Sequence, residues 1–162
     1  MDLHPYDGKE HRYRHTDSDL APGVRIVMDL LHLPAPPSAS GLMYDLSFYS
    51  GGIGVMDRLA ITLPRESSNV PVILARLSCK PPEEIASDPS CQDDFLWLID
   101  NEDDPLPVRA AATRFINENR QEFQPECQVS SAMWFVAESN VNAWTALWET
   151  DGVLSYLAYD QG

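Results

Sequence analysis

Two stretches of alternating apolar residues, joined by a glycine-rich segment, constrain the fold of this chain most. In the first, every second residue is large and apolar: Leu42, Tyr44, Leu46 and Phe48. In the second, Leu59, Ile61 and Leu63 share one face. A period of two predicts β-strands, and the connecting segment SGGIG at 50–54 is short enough for a tight hairpin. The apolar segment at 70–77 follows after a brief polar connection, so we predict an antiparallel meander of three strands.

The segment before the meander, GVRIVMDLLHL at 23–33, is compatible with two structures. Its β-branched start slightly favours a strand, whereas the four-residue spacing of Arg25 and Asp29 suits a helix. The proline-rich run at 34–37 then ends either element, because proline removes a backbone donor.

Helical periodicity dominates the middle of the chain. In the segment 90–101, Phe95, Leu98 and Ile99 fall on one helix face, and Ser90 with Asp93 is a candidate capping box. In the segment 105–123, five apolar residues follow helical spacing, with Asp104 as a candidate cap. They are Val108, Ala111, Ala112, Phe115 and Ile116.

The C-terminal segment predicts a second hairpin. Asp151 and Gly152 can both adopt positive φ angles, which would place Trp148 opposite Ser155, Ala146 opposite Leu157 and Trp144 opposite Tyr159. A helix over 141–149 is the alternative, because Trp144 and Trp148 also match helical spacing.

These elements predict one α+β domain over residues 22–162, with a mostly antiparallel sheet packed by two helices. Residues 1–21 are polar and lack either period, so we expect a flexible or loosely docked N-terminal arm there.

The charge of the chain is strongly asymmetric. The net charge is −14, and residues 81–162 contribute −13 of it, with three arginines against sixteen acidic residues. Such a segment repels nucleic acid phosphate and anionic lipid and attracts cationic partners. We therefore expect no direct nucleic acid binding and no membrane association, although an acidic surface also serves solubility without any partner.

No segment has the length and hydropathy of a membrane span or a secretory signal, which leads us to expect a cytoplasmic protein. The three cysteines, Cys79, Cys91 and Cys127, are not clustered as metal ligands are, and their odd number suits reduced thiols. A bridge between Cys79 and Cys91 is the less favoured alternative.

No motif of established catalytic specificity occurs in the chain. His11 and His15 have the spacing of two zinc ligands on a helix, but the intervening cations Arg12 and Arg14 oppose metal capture. His32 lies in an apolar setting typical of a core histidine. We therefore expect no metal, no cofactor and no catalytic residue.

The acidic segment around Trp97 is the strongest candidate for a functional site. If the helix over 90–101 is correct, Trp97 is exposed among carboxylates while Phe95 and Ile99 face the core; in a strand, Trp97 would be buried instead. An exposed indole ringed by carboxylates is typical of a surface that binds a basic protein. The candidate partner-binding residues are Asp93, Asp94, Trp97, Asp100, Glu102, Asp103 and Asp104.

In its size, its acidity and its lack of catalytic and signal motifs, the chain resembles bacterial toxin-immunity proteins. The resemblance is one of composition, without a shared motif, and it implies a basic partner such as a nuclease-type toxin. Two alternatives stay open: a small hydrolase-like enzyme that uses His32 or a carboxylate at a site between the Gly-rich turn and the sheet, and a self-associating protein. The second would need an exposed patch formed by Trp134, Trp144, Trp148, Tyr156 and Tyr159.

Overall fold

The computed structural model describes residues 5–37, 41–119, 133–137 and 142–161, and within them one antiparallel sheet organises the chain. The strands are β1 (Glu10–Arg14), β2 (Met43–Gly51), β3 (Gly54–Pro64), β4 (Met133–Ala137), β5 (Ala143–Thr150) and β6 (Val153–Gln161). The helices are α1 (Ala21–Leu31), α2 (Val70–Leu77), α3 (Pro82–Ala86), α4 (Gln92–Leu98) and α5 (Val108–Asn119). The strand order is β1-β2-β3-β6-β5-β4, which confirms the predicted α+β class.

Both faces of the sheet carry a hydrophobic core. One face packs against α1 and α2 through residues such as Leu46, Ile61 and Leu147. The other packs against α3, α4 and α5 through residues such as Trp144 and Leu157. Helices therefore lie on both sides of the sheet, and the described residues form five α-helices where the sequence predicted two.

Both predicted hairpins are present. Leu59, Ile61 and Leu63 are all buried on one face of β3, and β3 pairs with β2 through the turn at 52–53. In the second hairpin Asp151 has a φ of 50° and Gly152 a φ of 76°. The predicted cross-strand partners of Trp148, Ala146 and Trp144 are those observed, so the alternative helix over 141–149 is wrong.

Helix α1 replaces the strand that the β-branched residues at 24–27 slightly favoured. Pro22 lies in its first turn, where a missing N–H costs no hydrogen bond, and Gly23, Ile26, Val27 and Leu31 are buried at helical spacing. Gly23 permits close packing, because a Cβ atom there would lie 2.5 Å from the ring of Tyr44. This approach of helix to sheet is a tertiary contact, which periodicity does not reveal.

Helix α2 replaces the predicted third strand of the meander. The Asn69 side chain caps it by accepting the Val72 N–H at 3.3 Å, and Pro71 occupies its first turn. Val70 and Ile73, three residues apart, are its buried positions. The strand next to β3 is instead β6, from the far end of the chain.

The expectation of a loosely docked arm over residues 1–21 is wrong for residues 10–14. They form the edge strand β1, paired with β2 from Glu10↔Tyr49 to Arg14↔Asp45. The Tyr13 ring contacts Phe48 edge-on at 6.3 Å between centroids, and Arg12 forms an ion pair with Asp45. These partners lie more than thirty residues away in sequence. The polar local sequence of residues 10–14 therefore gave no indication of the strand.

Candidate functional site

Helix α4 and the loop after it form the acidic surface, by which we mean Asp93, Asp94, Trp97, Asp100, Glu102, Asp103 and Asp104. The helix is fixed to the sheet by Phe95 and Ile99, each 1% exposed, as the apolar spacing predicted. Trp97 lies on the opposite side and is 58% exposed. Asp93 and Asp94 lie four and three residues before Trp97 on the helix, a spacing that puts all three residues on one side of it.

Helix α4 ends at Leu98, earlier than the helix over 90–101 that the sequence predicted. Asp100 adopts a left-handed conformation with a φ of 53°. Its N–H donates to the Trp97 carbonyl at 3.1 Å, and the Asn101 N–H donates to the Leu96 carbonyl at 2.9 Å, which is a Schellman ending. Asp100 and Asp104 therefore lie in the loop that follows α4 and not on the helix itself.

The predicted capping box of Ser90 and Asp93 does not form. Cys91 occupies the N-cap position without a side-chain hydrogen bond, and the Ser90 hydroxyl donates to Asp88 Oδ1 at 2.8 Å. The Ser90 backbone N–H donates to the same oxygen at 3.0 Å, which is a local turn that competes with the cap. This backbone hydrogen bond is the largest contribution that lowers the pKa of Asp88 below its usual value.

Two hydrogen bonds of the buried Asn101 side chain, together with an arginine, hold the acidic loop. Asn101 is 4% exposed; its Nδ2 donates to the Leu106 carbonyl at 3.1 Å, and its Oδ1 accepts the Leu106 N–H at 2.8 Å. Arg114 Nη2 donates to the carbonyl oxygens of Ile99 and Asp100 at 3.2 and 2.7 Å. Arg114 thus binds backbone oxygens, and Glu102, Asp103 and Asp104 project from a loop closed at its base.

The carboxylates of the acidic surface are not neutralised by cations of the described residues. All six are exposed, and within the parts of the chain that the structure describes none has a cationic nitrogen within 4.0 Å. Arg109 instead pairs with Glu83, outside the acidic surface, through two hydrogen bonds of 2.7 and 2.8 Å. The hydrogen bonds from Arg109 lower the pKa of Glu83. All seven predicted residues are therefore exposed on one helix and its adjoining loop.

The histidines occupy sites unlike those considered from sequence. His11 Nε2 lies 2.8 Å from Asp7 Oδ2, and His15 Nδ1 lies 3.1 Å from the Tyr44 carbonyl oxygen. His32 is exposed at the C-cap of α1 with a φ of 51°, so its interpretation as a core histidine is wrong. Among the described residues, no three His, Cys, Asp or Glu side chains gather closely enough to hold a metal ion.

The structure contradicts two further hypotheses that the sequence suggested. Cys79 and Cys91 carry unbridged thiols, which excludes the alternative disulfide, while Cys127 lies outside the described residues. Trp144, Trp148 and Tyr156 are 5%, 2% and 5% exposed, so they do not form the exposed aromatic patch required for the self-association hypothesis.

The structure also contains a cleft that the sequence did not reveal. It has a volume of about 450 Å³ and lies beside β1, β2 and β3 on the face that carries α5. Its lining includes Arg12, Asp45, Ser47, Arg58 and Asn119. Arg12, Ser47 and Arg58 are direct neighbours across three strands. Arg12 reaches this position through the pairing of β1 with β2, which was not predicted. The alternation of Asp45 and Ser47 with apolar residues in β2 was the available signal of a polar face.

Comparison of the chain with protein-family models, with curated proteins and with solved structures finds no match in any of the three. Among the described residues, no helix combines the length and hydropathy that crossing a bilayer requires.

Proposed function

We propose that this protein binds a basic protein and neutralises it, as toxin-immunity proteins do, with the acidic surface as the contact. The observation that carries the proposal is the exposure of Trp97 between carboxylates that no described cation neutralises. A tryptophan that is more than half exposed does not gain the favourable free energy of burying its side chain in the core. In a complex, the same indole would supply desolvated apolar area at the centre of an interface.

The surrounding charges suit a partner rich in arginine and lysine. Carboxylates accept charge-assisted hydrogen bonds from guanidinium and ammonium groups, and the loop held by Asn101 presents three of them together. Preorganisation lowers the entropy lost on binding, because the loop backbone is already fixed. The net charge of −14 would steer a cationic partner into contact and make association fast at low salt.

A nuclease-type toxin is the partner class that this chemistry favours. An enzyme that grips the phosphate backbone needs a basic cleft, and an acidic protein can occupy that cleft in place of the nucleic acid. Trp97 would then fill an apolar or stacking position of the cleft, while Asp93 and Asp100 meet its cations.

Charge reversal within the acidic surface tests the proposal. Any basic protein whose gene lies beside that of this chain is the binding partner to assay, with association measured by surface plasmon resonance at several salt concentrations. We expect the double variant Asp93→Lys with Asp100→Lys to lower the affinity by at least about a hundredfold, because two charge-assisted contacts are lost.

The matched control is Asp29→Lys with Glu66→Lys, which makes the same change in net charge at two exposed residues on α1 and the turn after β3. We expect this control to slow association modestly. Equal losses of affinity in the two double variants would show that net charge matters and the acidic surface does not. Adjacent genes that encode no basic protein, or no binding of the wild-type chain to one that they encode, would refute the proposed function itself.

A further inference from the structure

The cleft beside β1, β2 and β3 has the geometry of a second binding site. Arg12, Ser47 and Arg58 are direct cross-strand neighbours on three adjacent strands, so Ser47 lies between two arginines. Neighbouring strands lie about 4.8 Å apart, which sets the two arginine backbones roughly 10 Å from each other. A cleft of about 450 Å³ above them accommodates a small organic molecule.

Arg12 is held in place by its neighbour on β2. Its Nε donates to Asp45 Oδ1 at 2.9 Å and its Nη2 donates to Asp45 Oδ2 at 2.6 Å, a bidentate ion pair. Arg58 is exposed and projects from the central strand β3 into the same cleft. The cleft therefore presents guanidinium groups from a rigid sheet, in a chain whose net charge is otherwise strongly negative.

The rest of the lining limits the ligand. Ala60 and Leu157 provide an apolar floor, and a smaller cleft of about 60 Å³, which shares Arg58 and Leu157, continues to Trp144 and Tyr159. The lining holds two carboxylates, Glu10 and Asp45, and two arginines, so its formal charges cancel. The cleft therefore offers little net attraction to a polyanion. A molecule with one anionic group and an apolar body fits this distribution of charge and surface.

We propose that this cleft binds a small organic anion, with its carboxylate or phosphate group against Arg58 and the Ser47 hydroxyl and its apolar part over Ala60 and Leu157. Guanidinium groups bind both oxyanions in bidentate geometry, so the two chemistries share one site. This site is separate from the acidic surface and adds a function that partner capture does not require.

Titration of the ¹⁵N-labelled chain by NMR tests the proposal with three probes: benzoate, phenyl phosphate and the neutral benzyl alcohol. We expect saturable shifts at the amides of Ser47, Arg58 and Ala60 with one or both anions, and weaker ones with benzyl alcohol. The stronger of the two anions identifies the oxyanion. Saturation by neither anion, or equal affinity for benzyl alcohol, would overturn the proposal.

Arg58→Gln should weaken the binding of the anion about tenfold or more, because a charge-assisted hydrogen bond is lost. The control Arg76→Gln removes the same charge from an exposed residue of α2, which packs on the other face of the sheet, and should leave the affinity unchanged. Ser47→Val, which favours strand structure, provides a second variant with an expected weakening of about threefold or more. Wild-type affinity in both Arg58→Gln and Ser47→Val would overturn the assignment.

Discussion

Asn101 and Leu106 exchange two hydrogen bonds across the base of the acidic loop, and the amide that makes them is almost fully buried. We expect Asn101→Ala to lower the free energy of unfolding by about 1–3 kcal/mol, because the Leu106 N–H and carbonyl lose their partner. Amide exchange at Leu106 should accelerate, as measured by NMR. Asn101→Asp retains an acceptor for the Leu106 N–H but sets a carboxylate oxygen against the Leu106 carbonyl, so it should also destabilise the fold. Protection of Leu106 unchanged in Asn101→Ala would contradict this role for Asn101.

Substitutions at Phe95 and Trp97 should affect stability and binding separately, although both residues lie on α4. Phe95 is 1% exposed and Trp97 is 58% exposed. We expect Phe95→Ala to cost about 3–5 kcal/mol in urea denaturation, and Trp97→Ala to change the free energy of unfolding by less than about 1 kcal/mol. Trp97→Ala should nevertheless lower the affinity for the basic partner by at least tenfold. A Trp97→Ala variant that unfolds like Phe95→Ala would place the indole in the core.

The ion pair of Glu83 and Arg109 makes a small part of the stability dependent on pH. The folded-state pKa of Glu83 lies below its ordinary value of 4.5, chiefly because Arg109 donates hydrogen bonds to it. Its contribution is therefore complete above pH 4.5 and is lost as the pH falls through the folded-state pKa. Both side chains are partly exposed, so we expect less than about 1 kcal/mol.

Arg109→Gln should raise the pKa of Glu83 towards its ordinary value, as NMR titration of the carboxyl carbon would measure. Urea unfolding at pH 6 and pH 3 should then show a smaller dependence on pH than in the wild type. A pKa of Glu83 that stays equally low in Arg109→Gln would exclude the ion pair as its cause.

Cys79 should resist alkylation in the folded protein. Burial raises the pKa of its thiol to about 12, so the reactive thiolate is scarce at pH 8. Iodoacetamide labelling followed by peptide mass spectrometry should show slow modification of Cys79 in buffer and rapid modification in urea. Equal rates in the two conditions would mean that the thiol is accessible in the folded state.

The turn of the second hairpin requires glycine at its second position. Gly152 has a φ of 76°, whereas Gly52 in the first hairpin does not have a positive φ. We expect Gly152→Ala to lower the free energy of unfolding by about 1–2 kcal/mol and Gly52→Ala to have a smaller effect. Thermal denaturation of the two variants measures the difference, and equal destabilisation would show that backbone conformation is not the cause.

Strongly local signals in the sequence predicted the elements that the structure confirmed. The period of two in β2 and β3, the positive-φ pair Asp151 and Gly152, and the apolar spacing of α5 each depend on residues close together in the chain. The exposure of Trp97 followed from the same kind of reasoning, because helical geometry sends it away from Phe95 and Ile99.

By itself, then, the sequence determined the two hairpins, the register of the second and the helix α5. It also determined the acidic character of the α4 surface. Turn chemistry and periodicity act over only a few residues, so the local sequence is sufficient for these features. Tertiary structure alone decided that residues 10–14 join the sheet, that 70–77 form a helix and that Arg12, Ser47 and Arg58 meet in one cleft. The physical reason is that these outcomes depend on cross-strand pairing and helix-to-sheet packing between distant segments, whose contact energies override weak local preferences.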